Sequence, residues 1–149
     1  MREELENKLA EQFSFMRRGK CLEEQQQEGS VGDLYSAFGC EFDDGWYQMM
    51  VDMCTEIMAV YEKAGKPVDI VVDQVKEKYG ELCFYYHTEA ENIEASAAVD
   101  ELHRQVAKIV EKYEDKSSTI CEFCGQQGKL RENRAWILTL CDQCNEENP

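Results

Sequence analysis

The sequence predicts an α+β fold: a helix–β-hairpin–helix core, with an N-terminal helix before it and a small four-cysteine ribbon after it. Three observations carry this. Trp46, Met49, Met50, Met53, Cys54, Ile57, Met58 and Tyr61 recur at i, i+3, i+4, i+7, i+8, an apolar stripe of helical period. Residues 68–75 are rich in β-branched side chains and residues 82–86 alternate, with Gly80 between the two runs. Cys121 and Cys124, then Cys141 and Cys144, form two Cys-x2-Cys pairs sixteen residues apart.

In chain order, Leu5, Leu9, Phe13 and Met16 lie at helical spacing, so a first amphipathic helix is expected over 2–17. Residues 18–45 break that pattern. The glutamines at 25–27 and Gly29, Gly32, Gly39 and Gly45 mark a loop, with one short turn over 34–38. The long apolar stripe stops at Gly65, with Pro67 just beyond. The 68–86 hairpin is expected to lay one face on that helix. Thr88 with Glu91 three residues on reads as a capping box opening a second long helix, whose face carries Leu102, Val106, Ile109, Val110 and Tyr113. The polar stretch 116–119 marks a boundary, giving a core domain over 1–115 and a ribbon over 116–149.

The cysteine spacing falls inside the window of four-cysteine zinc sites. Each pair puts two thiolates on one turn, and two facing turns complete a tetrahedron. Gly125, after the second cysteine, lets the backbone turn tightly enough for amides to face sulfur. Residues 129–140 read as a hairpin between the pairs, with Trp136 and Leu140 placed to cover the metal. A redox dithiol instead opens a helix in a βαβ unit, which this context lacks. Four thiolates leave no position for water, so the expected cofactor is one structural Zn²⁺ per chain, held by Cys121, Cys124, Cys141 and Cys144.

The chain of 149 residues carries 31 acidic and 16 basic side chains, a net charge of −15. Such a surface repels phosphate backbones and attracts basic partners, the alternative being that it serves solubility alone. No apolar run approaches a membrane span, and the N-terminus lacks a signal-peptide core. Cys21, Cys40, Cys54 and Cys83 are scattered without motif spacing, and free thiols beside a thiolate metal site predict a cytoplasmic protein.

Enzyme chemistry finds little support. Asp69, Asp73, Glu77 and Lys78 resemble a nuclease set, but they crowd one strand and its turn rather than standing apart as two-metal chemistry requires. Asp43 and Asp44 precede the long helix, where Asp44 is expected to cap. His87 and His103 have no nucleophile beside them in sequence, although a Cys–His pair could form in space. No phosphate-binding glycine loop or serine elbow is present.

Residues 38–47 (Phe-Gly-Cys-Glu-Phe-Asp-Asp-Gly-Trp-Tyr), residues 74–82 (Gln-Val-Lys-Glu-Lys-Tyr-Gly-Glu-Leu) and the 121–144 ribbon together resemble a family of small phage and bacterial proteins. That family shares a GDGW-type segment, a QVKEKFG-type segment and a terminal metal knuckle. The resemblance spans roughly residues 34–144 and carries no activity with it. Cys83 stands where the family usually has arginine, and Cys144 where histidine is frequent; both histidine and cysteine ligate zinc.

The expected function is therefore a non-enzymatic, acidic, zinc-containing interaction protein that docks on a basic or nucleic-acid-binding protein. The resemblance implies a phage accessory protein, and the charge suits an anti-defence inhibitor or DNA mimic acting in the host cytoplasm. The alternative is a zinc-ribbon nucleic-acid module, in which Lys129, Arg131 and Arg134 contact phosphate around Trp136. No direct DNA binding and no membrane association are expected.

Overall fold

The computed structural model describes residues 1–19, 34–89 and 97–148, and its architecture is mixed α+β. The Gln25–27, Gly29, Gly32 and Cys21 positions and Glu91 of the expected capping box lie outside the described residues.

Helix α1 covers Glu3–Gln12, shorter than the 2–17 expectation. Phe13 turns extended, and a 3-10 turn over Ser14–Met16 follows, so Phe13, Phe15 and Met16 all reach the core from a bent chain. Helix α2 spans Leu34–Phe38, the short turn expected there. After it comes a two-residue strand, β1 (Cys40–Glu41), which periodicity could not reveal in so short a segment.

Helix α3 (Tyr47–Ala64) buries Met49, Met50, Met53, Cys54, Ile57 and Tyr61, the stripe read from the sequence. Its C-terminus closes at Gly65, which is left-handed at φ 63. The Gly65 amide donates to Glu62 O and the Lys66 amide to Tyr61 O, the paired bonds of a Schellman stop. Asp44 does not cap this helix. It lies in a 3-10 turn, Asp44–Trp46, and its carboxylate takes the Arg2 amide at 2.8 Å and the Arg2 guanidinium.

Strands β2 (Ile70–Lys78) and β3 (Glu81–Thr88) pair antiparallel, and β1 adds to β2 in parallel, giving the order β1-β2-β3. The turn is Tyr79-Gly80, both residues at positive φ (54 and 81), the two-residue hairpin geometry that matches strand twist. An irregularity between Val72 and Gln74 shifts the alternation, so that Val72 and Val75 both face the core. Thr88 is the last residue of β3 rather than a helix cap.

Helix α4 (Ala97–Ser117) buries Leu102, Val106, Val110, Tyr113 and Ser117. It also covers the outer edge of β3. Ser117 Oγ accepts the Leu82 amide and Glu114 Oε1 accepts the Phe84 amide, both at 2.8 Å. At the opposite edge, buried Glu6 accepts the Cys40 amide of β1 at 2.8 Å and pairs with Arg18 at 3.0 Å. Side chains thus occupy strand amides that would otherwise template aggregation. Gly39 is required beside Glu6, because a Cβ there would come within 2.6 Å of Glu6 Oε2. Tyr113 of α4 donates to Glu56 of α3 at 2.6 Å, and Lys112 pairs with the same carboxylate. The buried side chains of α1, α3, β2, β3 and α4 form one core.

Candidate metal centre

Past α4 the chain builds two facing knuckles. In the first, the Gly125 amide donates to Cys121 O at 2.8 Å and the Cys121 amide to Gln126 O at 2.7 Å. Gly125 makes this turn possible at φ 78. Strands β4 (Lys129–Arg131) and β5 (Leu138–Leu140) then pair antiparallel, as the 129–140 segment predicts. The second knuckle opens helix α5 (Asp142–Glu147), where Cys141 caps the helix and its sulfur accepts the Cys144 amide at 3.3 Å.

The two knuckles bring Cys121, Cys124, Cys141 and Cys144 together, with all four sulfurs within 4.8 Å of one another. Cys124 Sγ and Cys141 Sγ stand 3.7 Å apart. A tetrahedron with metal–sulfur bonds of about 2.3 Å has edges of about 3.8 Å, so this separation suits a bridging metal. It is far too long for a disulfide, whose bond is about 2.05 Å. Burial opposes charge on the Cys121 thiol, but the amides of Cys141, Cys124 and Phe123 outweigh it and bring it down to about 7. Burial and the neighbouring Cys141, Cys124 and Cys121 thiols push the Cys144 thiol up. The donor set fits a metal ion. Among the described residues, no second group of three or more ligating side chains gathers in this way.

The ribbon is clasped by residues 43–46 on one side and by Gly80 on the other. The Gly45 amide donates to Glu122 O at 2.8 Å, and the Trp46 indole donates to Ile120 O at 2.8 Å. A Cβ on Gly45 would come within 2.6 Å of the Gly125 nitrogen. On the other side, buried Thr139 donates its hydroxyl to Gly80 O at 2.7 Å. A Cβ on Gly80 would press on Leu130 and meet the Leu138 carbonyl carbon at 3.1 Å. Glu122 lies within this junction, 3 % exposed, accepting the Asp43 amide at 3.2 Å through Oε1. Its Oε2 has no hydrogen-bond partner among the described residues. Burial, helped by nearby Glu77 and Asp43 and opposed by the Asp43 amide, pushes the Glu122 carboxyl up to about 7.

The remaining candidates are dispersed. Trp136 does not cover the cysteines; it is 67 % exposed and donates its indole N–H to Glu77 at 3.0 Å, over the hairpin tip. Leu140 is buried as expected. Trp136 and Tyr79 (69 % exposed) flank a groove of about 430 Å³ whose wall includes Lys76 and Lys78. Of the supposed nuclease set, Asp69 takes the Tyr61 hydroxyl at 2.5 Å and His103 at 3.0 Å, whereas Asp73 takes His87 at 2.9 Å. Glu77 accepts the Gly80 amide and the Trp136 indole. Each carboxylate has its own structural partner, and they do not converge on a common centre.

The three basic side chains expected to contact phosphate are also occupied. Arg131 donates to Leu140 O at 3.1 Å and to Asp142 at 2.6 Å, and Lys129 pairs with Asp142 at 3.3 Å. Arg134 donates to Asn145 Oδ1 and Asn148 O. Among the described residues, no helix is long and apolar enough to cross a membrane. No protein-family model, curated protein or solved structure matches the chain.

Proposed function

We propose that the chain is a non-catalytic, zinc-containing interaction protein whose acidic surface docks on a basic or nucleic-acid-binding protein. In this reading α3, the β2–β3 hairpin and α4 form a helix–hairpin–helix scaffold. One structural Zn²⁺, held by Cys121, Cys124, Cys141 and Cys144, braces the ribbon against Gly45 and Gly80. The metal performs no chemistry; it replaces the hydrophobic core that so small a ribbon lacks. The family resemblance points to a phage accessory or anti-defence protein working in the host cytoplasm.

One observation favours this over a nucleic-acid-binding ribbon. Arg131, Lys129 and Arg134, the bases that would meet phosphate, already satisfy acceptors within their own ribbon. Binding DNA would require breaking those contacts against the repulsion of a −15 chain.

The test is a titration against duplex DNA, single-stranded DNA and a panel of basic DNA-binding proteins, at about 50 and about 200 mM salt. The proposal predicts no DNA binding, and binding to basic proteins that weakens as salt screens the acidic face. Micromolar DNA binding that is lost in Arg131→Ala would overturn it in favour of the ribbon module.

A further inference from the structure

The four cysteines differ in how they meet solvent. Cys121 is fully buried, Cys141 and Cys144 are half-buried, and Cys124 alone is exposed. An oxidant arriving from solvent therefore meets the Cys124 sulfur before the other three, since attack on a thiolate requires access. A cleft of about 440 Å³ opens beside it, lined by Cys124, Phe123, Tyr47, Gln48 and Lys116. Cys141 Sγ is the half-buried neighbour at 3.7 Å.

We infer that Cys124 is a modification site: its exposed thiolate is the point at which a small hydroperoxide oxidant attacks the ribbon, with Cys141 as the resolving thiol. The inference rests on the structural-zinc reading above. In the first step the Cys124 sulfur takes one peroxide oxygen, breaking the O–O bond and releasing water, and becomes a sulfenic acid. In the second, the Cys141 thiolate attacks that sulfur and expels the hydroxyl, which leaves as water after protonation. The balance is two thiolates, one hydrogen peroxide and two protons giving one disulfide and two waters. Two of the four ligands are lost, and Zn²⁺ is released.

The consequence reaches beyond the knuckles. Ile120 and Glu122, on either side of Cys121, hold the 43–46 segment, and Thr139 holds Gly80, so loss of the metal loosens both clasps together. Oxidation at one exposed sulfur thereby alters the surface on which Trp136 and Tyr79 stand.

The experiment treats full-length, zinc-loaded protein with hydrogen peroxide. It follows zinc release with a chromogenic chelator and maps oxidised cysteines by peptide mass spectrometry. The expected result is one zinc released per Cys124–Cys141 disulfide, with Cys121 oxidised last. Cys124→His keeps a zinc-competent Cys₃His set and should release zinc on the order of tenfold more slowly, as expected when the most exposed thiolate is removed. A first disulfide that omits Cys124 overturns the inference, even if the histidine variant does not fold. So does equal release from Cys124→His. A protein that carries no zinc before treatment overturns the metal reading itself, and this inference with it.

Discussion

Gly45 and Gly125 face each other at a separation that leaves no room for a side chain on either: a Cβ on Gly125 would lie 2.9 Å from the Gly45 carbonyl oxygen. The neighbours on both sides are backbone, which cannot swing aside as a flexible side chain can. Gly45→Ala should therefore push the ribbon away from α3 and destabilise the protein by about 1–3 kcal/mol, the usual scale of overpacking. Chemical denaturation followed by Trp46 fluorescence, in a Trp136→Phe background, reads this. An unchanged midpoint would mean that the two segments do not touch in solution.

The opposite clasp makes a separate prediction. Thr139 is fully buried, and its hydroxyl satisfies the Gly80 carbonyl. Thr139→Val keeps the shape but leaves that acceptor unpaired, which should destabilise by about 1–3 kcal/mol. Thr139→Ser restores the hydroxyl and should recover much of the loss. If the valine and serine variants are equally stable, the hydrogen bond contributes nothing.

Ile57 sits in the middle of the α3 stripe and is fully buried. Ile57→Ala should lower stability by about 2–5 kcal/mol through the cavity it leaves. A denaturation midpoint matching wild type would place this stripe on the surface.

Glu114 predicts a pH dependence of known sign. Burial raises its pKa above the ordinary carboxylate value, helped by Asp115, Glu111 and Glu81 and opposed by the Phe84 amide. The folded chain therefore holds this proton more tightly than the unfolded chain. That stabilising contribution is complete below the unfolded carboxylate range near about 4.3 and is lost as pH rises through the higher folded value. Glu114→Gln keeps an oxygen for the Phe84 amide but carries no charge. Its denaturation midpoint should exceed wild type at neutral pH, with the difference shrinking as pH falls to about 4. A constant difference across that range would exclude desolvation of the carboxylate as the cause.

Long periodic segments were legible in the sequence because burial of one face repeats along them. The α3 stripe from Trp46 to Tyr61, the Gly65 stop and the 129–140 hairpin all follow from residue spacing. The cysteine cluster was legible for a different reason, since thiolate pairs on knuckles leave a short, rigid spacing. What could not be read were contacts made across the chain. Nothing in the helical spacing of residues 2–17 marks Glu6, yet its carboxylate accepts the amide of Cys40, 34 residues away. Asp44 stood where a helix cap belongs, but Arg2 claims its carboxylate. Trp136 was expected over the metal, yet its indole reaches Glu77, 59 residues away in sequence. Gly45 and Gly80 carried a weak signal, as glycines within two distinctive segments, but the reason for them is the ribbon they both touch.

In the reading proposed above, four cysteines hold one structural zinc and the ribbon depends on it. Elemental analysis of the purified, reduced protein and of its Cys144→Ser variant puts this to the test. The account predicts close to one zinc per wild-type chain, loss of that zinc in the variant, and unfolding of the ribbon when a chelator removes it. A folded ribbon free of metal, or a Cys121–Cys144 disulfide in the protein isolated under non-reducing conditions, would contradict it.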